Sequence, residues 1–201
     1  MLTRAVQFAF AVTLLGGQTK PDALIGRWRS TDVSPTGFSA IFEFHPGNQL
    51  DFYASVVSEE KFRIVGTDTI LLRSADGHEV KRELEWDNPD RARIDDEAAG
   101  KSIELTRVGT KSDRQNPLTG QWSTTREWKG KSYPARALFF TDGRVLWIID
   151  IRAEHGRYSV DKQVIRIEIP SRPLLEGTLK LDGDRLKLPN PKGGQSTFER
   201  F

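Results

Sequence analysis

The sequence predicts an all-β protein built as two small antiparallel up-and-down β-barrels in tandem, about eight strands each. Three observations predict it. Short runs of β-branched, aromatic and leucine residues alternate with polar ones, the period of half-buried strands. Turn residues cut those runs at intervals of about ten residues, and no segment after the N-terminus sustains a helical period. The pattern is also written twice, the mark of a repeated structural unit.

The repeat is legible residue by residue. Ala23-Leu-Ile-Gly-Arg-Trp28 returns as Pro117-Leu-Thr-Gly-Gln-Trp122, at an offset of 94. The same offset carries Asp90-Arg91 onto Asp184-Arg185 and Ile94 onto Leu188. Ile103-Glu-Leu-Thr-Arg107 answers Ser196-Thr-Phe-Glu-Arg200 at an offset of 93. Ile41 to Gly47 answers Ala137 to Gly143 with a small indel. These matches bound a first unit at 23–108, a polar linker at 109–117 and a second unit at 118–201.

The first unit gives strands near 24–30, 38–44, 50–57, 60–65, 69–73, 81–86, 91–94 and 102–107. The second gives 118–123, 133–140, 144–152, 155–160, 164–169, 176–181, 185–188 and 196–201. Asp182-Gly183-Asp184 is a strong hairpin turn, and Asn88-Pro89-Asp90 stands in its place earlier. So many short strands favour closure of each unit, because closure removes the bare edges that invite aggregation. A single assembly in which the two units share one sheet or swap strands is the alternative.

Composition sets outer limits. The charged (29%) and apolar (37%) fractions are those of a globular chain rather than a disordered one. A net charge of +2 gives no reason to expect a nucleic-acid partner. Without cysteine there is no disulfide framework, thiolate nucleophile or cysteine-ligated metal. Arg4 precedes an apolar stretch from Ala5 to Leu15 and then Gly16-Gly17, the shape of a signal peptide over 1–19. That run is shorter than the ~20 residues a membrane span needs, so no integral span is expected and the location read is periplasmic or secreted. An amphipathic N-terminal helix packed on the fold is the alternative.

The order Gly-x-Trp, Phe-x-x-Asp/Gly-Gly, Gly156-Arg-Tyr-Ser-Val160, Gly177-Thr-Leu-Lys-Leu-Asp-Gly-Asp-Arg-Leu-Lys-Leu188 and a final Phe-Glu-Arg resembles the small bacterial lipocalin-like domains. The resemblance covers nearly all of 23–201, twice over. It implies calycin-type barrels, secreted or periplasmic in many members, with no shared catalytic residue to carry over.

Alternation along strands places Leu24, Gly26 and Trp28 on one face, and Ile103, Leu105 and Arg107 on one face. Leu118, Gly120 and Trp122, and Ser196, Phe198 and Arg200, repeat this. In a closed barrel the first and last strands are neighbours, so Arg107 is expected over Trp28 and Arg200 over Trp122. Such cation–π contacts are worth ~0.5–2 kcal/mol and would close one end of each barrel. The resemblance implies the same structural use.

Ligand contacts are sought elsewhere. Trp128, in the polar stretch Arg126-Glu-Trp-Lys-Gly-Lys-Ser132, has no counterpart in the first unit and is a candidate at a barrel mouth. Trp147 is a second candidate, with core packing as its alternative, which is also the reading for Trp86. His45, His78 and His155 show no metal-ligand spacing along the chain, so no metal and no cofactor is expected. No G-x-S-x-G, H-E-x-x-H or phosphate-binding glycine loop appears, so no catalytic residue is assigned. Asp95-Asp96-Glu97 reads as a solvated loop.

Charge is divided unevenly. Residues 24–108 hold 11 Lys/Arg against 16 Asp/Glu, while 118–201 hold 15 against 10, which favours docking of one half on the other. If Val145, Trp147, Ile149 and Ile151 face inward, Leu146 and Ile148 face outward and need cover. That cover is an inter-repeat contact, or a homodimer or protein partner. The function read first is a module binding a small apolar or amphipathic ligand at a barrel mouth or inter-repeat cleft. An interaction or scaffold protein comes second, and a calycin-type enzyme with a non-motif active site third.

Overall fold

The computed structural model describes residues 21–96, 100–109 and 116–201. The expected signal segment 1–19, most of the expected linker (110–115) and Glu97 of the acidic run lie outside the described residues. The rest is all-β, with 3-10 turns at Pro21–Leu24 and Pro46–Asn48 and no α-helix among the described residues. No helix there is long and apolar enough to cross a membrane.

Strands β1 (Gly26–Ser30), β2 (Phe38–His45), β3 (Gln49–Val65), β4 (Thr69–Arg73), β5 (Glu79–Asn88), β6 (Arg91–Asp96) and β7 (Lys101–Val108) come from the first half. The second half gives β8 (Gly120–Trp128), β9 (Lys131–Phe139), β10 (Arg144–Asp161), β11 (Val164–Glu168), β12 (Leu175–Thr178), β13 (Lys180–Asp182), β14 (Arg185–Pro189) and β15 (Gln195–Arg200). All fifteen belong to one antiparallel sheet.

Two strands organise it. β3 and β10 run 17 and 18 residues, where the sequence predicted a pair of short strands each time. The pairs Ser58-Glu59 and Ala153-Glu154, each ending in a charged residue, look like breaks in sequence. They are places where one continuous strand leaves one hydrophobic core and enters another. β3 and β10 pair with each other over nearly their whole length, from Arg144↔Lys61 to Arg157↔Gln49. Because the pairing is antiparallel, the start of each strand meets the end of the other.

The sheet therefore returns on itself. From the latter part of β3 it passes through β4, β5, β6, β7, β8 and β9 to the first part of β10, which pairs back on β3. This closed circuit surrounds Trp122. On the other side, β2, β1, β15, β14 and β13 follow the first part of β3, and β11 and β12 follow the last part of β10. This second lobe surrounds Trp28, and its ladder stops between β12 and β13.

Each lobe is thus assembled from both halves of the chain. The expectation of two barrels, each made from its own unit, gives way to the shared-sheet alternative. The Trp28 core joins Leu24, Phe42, Phe44, Leu50 and Phe52 to Tyr158, Ile165, Ile167, Leu186 and Phe198. The Trp122 core joins Phe62, Ile70, Leu84, Ile94 and Leu105 to Leu118, Phe139, Val145 and Trp147. A bulge at Ile151 lets one strand serve both, since the register shifts between Asp150 and Arg152. Odd-numbered Val145 and Trp147 enter one core and even-numbered Tyr158 the other.

The tryptophan–arginine partners are exchanged relative to the sequence expectation. Arg200 lies over Trp28 at 4.2 Å and Arg107 over Trp122 at 4.1 Å. The reason is the strand order: β1 has β15 as its neighbour and β7 has β8, with Trp28↔Arg200 and Arg107↔Trp122 in register. Both sites are built alike. Each indole donates to the carbonyl four residues earlier, Leu24 or Leu118, at 2.7 Å. Arg200 donates to the Ile25 and Ala23 carbonyls, and Arg107 to those of Thr119 and Pro117, the same offset apart. The glycine of Gly-x-Trp makes room for the guanidinium. Gly26 has φ of +124°, and a Cβ there would lie 2.9 Å from Arg200 Nη1.

Leu146 and Ile148 do face away from the lobe interiors, and the chain covers them itself. They are 2% and 0% exposed, packed with Ile41 and Val57 against Leu138, Phe140 and Phe201. They are not available to a homodimer or protein partner. Beside them the opposed charges of the halves meet, Arg136 with Glu43 and Arg144 with Glu59. Arg136 also binds Asp150 at 2.9 Å, and Ser55 donates to that carboxylate at 2.7 Å. Leu146→Ala should lower unfolding stability by roughly 2–5 kcal/mol, the loss usual for a buried leucine. Sedimentation should give the mass of the wild type; a shift in oligomeric state would return Leu146 to an intermolecular surface.

Candidate functional site

Cross-strand rows explain where the protein is hollow. In the Trp28 lobe one row runs Arg200–Trp28–Phe42–Phe52–Glu154, each pair in register. Three adjacent aromatic rings make a solid floor, with Phe42 5.2 Å from Phe52 and 5.3 Å from Phe198. The next row holds Ser30, whose register partner is Phe198, and the small pair Ala40↔Ala54. Small side chains above large ones leave space that neighbours do not refill. A cavity of about 460 Å³ opens there, bounded above by Phe38, Pro173, Leu175, Pro189 and Pro191.

The Trp122 lobe repeats the row and fills it differently. Trp122 pairs with Ala137 and Ala137 with Trp147, so a tryptophan stands where Phe52 stands in the other lobe. Trp147 is 5% exposed. Its indole donates to Glu60 at 2.9 Å, and the Arg126 guanidinium lies over its ring at 5.0 Å. Burial pulls the Arg126 pKa below its usual value, with Glu60 working against that. Trp147 is therefore part of a packed and internally satisfied core rather than a wall awaiting a ligand.

Polar groups around the open cavity are few. Arg172 lies over Phe52, its Cζ 3.9 Å from the ring centre, and its Nε meets Glu154 at 2.9 Å. Ser171 and Arg152 also bind Glu154. The Ser171 hydroxyl foremost, then Arg172 and Arg152, hold the Glu154 carboxyl below the usual range, against the effect of burial. Across the opening stand Asp32, Ser196 and Asn190, whose amide donates to Ser196 at 2.9 Å. Among the described residues, no histidine, lysine or tyrosine lines the cavity. What this arrangement can do chemically is hold an apolar body on aromatic rings and meet an acidic end with a guanidinium.

The cavity is also where the sheet is least closed. β12 and β14 flank its opening through Leu175 and Pro189, and no ladder joins β12 to β13 or β14. A single bond crosses the gap instead, from the Gln195 amide of β15 to the Thr178 carbonyl of β12.

Trp128 falls elsewhere than expected. It ends strand β8 rather than sitting in a loop, half-buried, with its ring edge-to-face on Phe38 at 6.0 Å. Phe38 lines the cavity and Trp128 stands behind it. Trp86 is half-buried, 6.1 Å from Trp122. The sequence reading missed Phe42, Phe52 and Arg172. The signal for them, a row of small residues beside a row of rings, exists only once the register of β1, β2 and β3 is known.

Comparison with protein-family models, curated proteins and solved structures gives no match. The case for a function rests on the cavity itself.

Proposed function

We propose that this chain is a lipocalin-like binding module that takes a small amphipathic molecule with an anionic head into the Trp28 lobe, read as a small calycin-type barrel. One observation carries the reading: an apolar cavity of about 460 Å³ with Arg172 at its edge. That volume is in the range of ligand sites, ~300–1,000 Å³, and such sites combine apolar walls with a few placed polar groups. Phe42, Phe52 and Phe198 supply the bed for an acyl or aryl body. Arg172 supplies donors for a carboxylate or sulfonate, its Nε edge kept in place by Glu154. The second lobe, filled by Trp147, has the supporting role of a scaffold. An extracytoplasmic location, proposed on the N-terminal Arg4 and apolar run, suits a carrier of such molecules.

Fluorescence titration with a dansylated undecanoic acid tests this. Saturable binding is expected, with one site per chain. Ala54→Trp places in the first lobe the bulk that Trp147 supplies in the second, and should abolish binding while circular dichroism and thermal unfolding report an intact fold. Arg172→Gln should weaken the acid about tenfold, ~1.4 kcal/mol, and leave the matching alcohol unchanged. A probe that never saturates, or binds Ala54→Trp as well as the wild type, rules the reading out.

A further inference from the structure

On the face turned away from the cavity, three adjacent strands carry metal-ligating side chains abreast. Glu43 of β2 is the register partner of Asp51 in β3, and Asp51 is the register partner of His155 in β10. Directly opposed residues share a face and approach within side-chain reach. His45 is two residues along β2 from Glu43 and so shares that face too. Both histidines aim a ring nitrogen at one carboxylate: His45 Nε2 lies 3.0 Å from Asp51 Oδ2, and His155 Nδ1 lies 2.5 Å from Asp51 Oδ1. Ligand atoms of Glu43, His45 and Asp51 all fall within 4.8 Å of one another.

We propose that this row is a binding site for one divalent transition-metal ion of the zinc type, held by His45, Asp51, His155 and Glu43. Two imidazoles and two carboxylates are the donor set that suits a small tetrahedral ion, with metal–nitrogen and metal–oxygen bonds of ~2.0–2.2 Å. Imidazole nitrogens disfavour calcium and magnesium, which take oxygen ligands. His155 stands outside that close group, in contact with Asp51 alone, and its side chain, 89% exposed, would turn inward to complete the set. In a neutral ring the proton on the coordinating nitrogen relocates to the other nitrogen, and the lone pair so released binds the ion.

The surroundings support an anionic, oriented site. Each oxygen of the Asp51 carboxylate meets one histidine ring nitrogen, Oδ2 that of His45 and Oδ1 that of His155. The Tyr53 hydroxyl lies 3.5 Å from both Glu43 and Asp51 and donates toward the two carboxylates. Arg27, at 2.9 Å, Arg136 and Tyr53 all approach Glu43 through Oε2 and hold that carboxylate in place. A bound ion would tie β2 and β3 of the first half to β10 of the second. Sequence spacing hides this site, because His155 is 104 residues from Asp51 and the two meet only through the β3–β10 ladder.

The experiment uses the full chain, stripped with a chelator and titrated with Co²⁺ and Zn²⁺. One equivalent of Co²⁺ is expected to give the visible absorption of a tetrahedral nitrogen–oxygen site, displaced by Zn²⁺ and not by Ca²⁺. Zn²⁺ should raise the unfolding midpoint. His155→Ala and His45→Ala should each weaken binding at least tenfold and remove that rise, while His78→Ala, outside the row, changes neither. Absence of saturable binding by the wild type, or binding that neither His155→Ala nor His45→Ala weakens, overturns the proposal. The cavity titration above is read independently, so failure of one leaves the other standing.

Discussion

Residues 21–109 expressed alone should not fold as a monomer, and neither should residues 116–201; mixed in equal amounts, the two pieces should assemble. The reason is the crossing of β3 with β10, which gives each hydrophobic core one wall from each half. Without the second half, Trp28, Phe42, Phe44 and Phe52 lose Tyr158, Ile165, Ile167, Leu186 and Phe198. Without it, Leu84, Ile94 and Leu105 also lose Trp122, Phe139 and Val145. A buried side chain of this size is worth roughly 1.5–3 kcal/mol, so the loss of five partners, about 7.5–15 kcal/mol, is as large as the whole ~5–15 kcal/mol by which domains are stable. β3 would also be left with an unpaired edge along the whole length that faces β10. Far-ultraviolet circular dichroism with sedimentation velocity reads the outcome. A folded dimer of either half fits the same geometry, because a second copy can lend the missing strands. A cooperatively folding monomer of 21–109 would show that each half closes on itself, and would refute the shared-sheet architecture.

The all-β class, the turn at Asp182-Gly183-Asp184 and the matched Gly-x-Trp and arginine positions were readable from sequence because they are local: period two, turn chemistry and an offset of 94. Which arginine meets which tryptophan was not. A repeat makes Trp28 and Trp122 locally equivalent, so closure within a unit and exchange between units satisfy the same pattern. What separates them is whether the chain turns or continues at Ser58-Glu59 and Ala153-Glu154, and a short polar interruption is compatible with both. Register was similarly hidden. Phe42 and Ala137 occupy equal places opposite the two tryptophans, one residue away from the alignment that sequence similarity favours. Because one residue of slip exchanges the two faces of a strand, that single step decides whether Ala40 and Ala54 line a cavity or solvent. The row of Glu43, Asp51 and His155 depends on long-range pairing in the same way.

Trp122→Ala should cost about 3–5 kcal/mol of unfolding free energy, the range for a fully buried large aromatic. Its ring is 0% exposed, wedged between the Arg107 guanidinium and the core that holds Trp86. Arg107→Ala should be comparably severe, because its side chain is 1% exposed and its donors serve the carbonyls of Pro89, Pro117 and Thr119. The Thr119 carbonyl would be left buried without that donor, at a cost of ~1–3 kcal/mol. Burial pulls the Arg107 pKa down and Asp90 pushes it back up, yet a guanidinium stays charged across the accessible pH range, so the defect should not depend on pH between neutral and mildly basic conditions. Arg107→Lys restores the charge without the planar fork and should recover only part of the loss. The decisive quantity is the coupling. In a double-mutant cycle by urea unfolding, Arg107→Ala and Trp122→Ala should be non-additive by ~0.5–2 kcal/mol, the worth of a cation–π contact. Arg107→Ala with Trp28→Ala should be additive within ~0.5 kcal/mol, because those side chains belong to different lobes. Coupling of Arg107 to Trp28 instead would mean that the first half closes on itself in solution, since only that closure brings the two residues together.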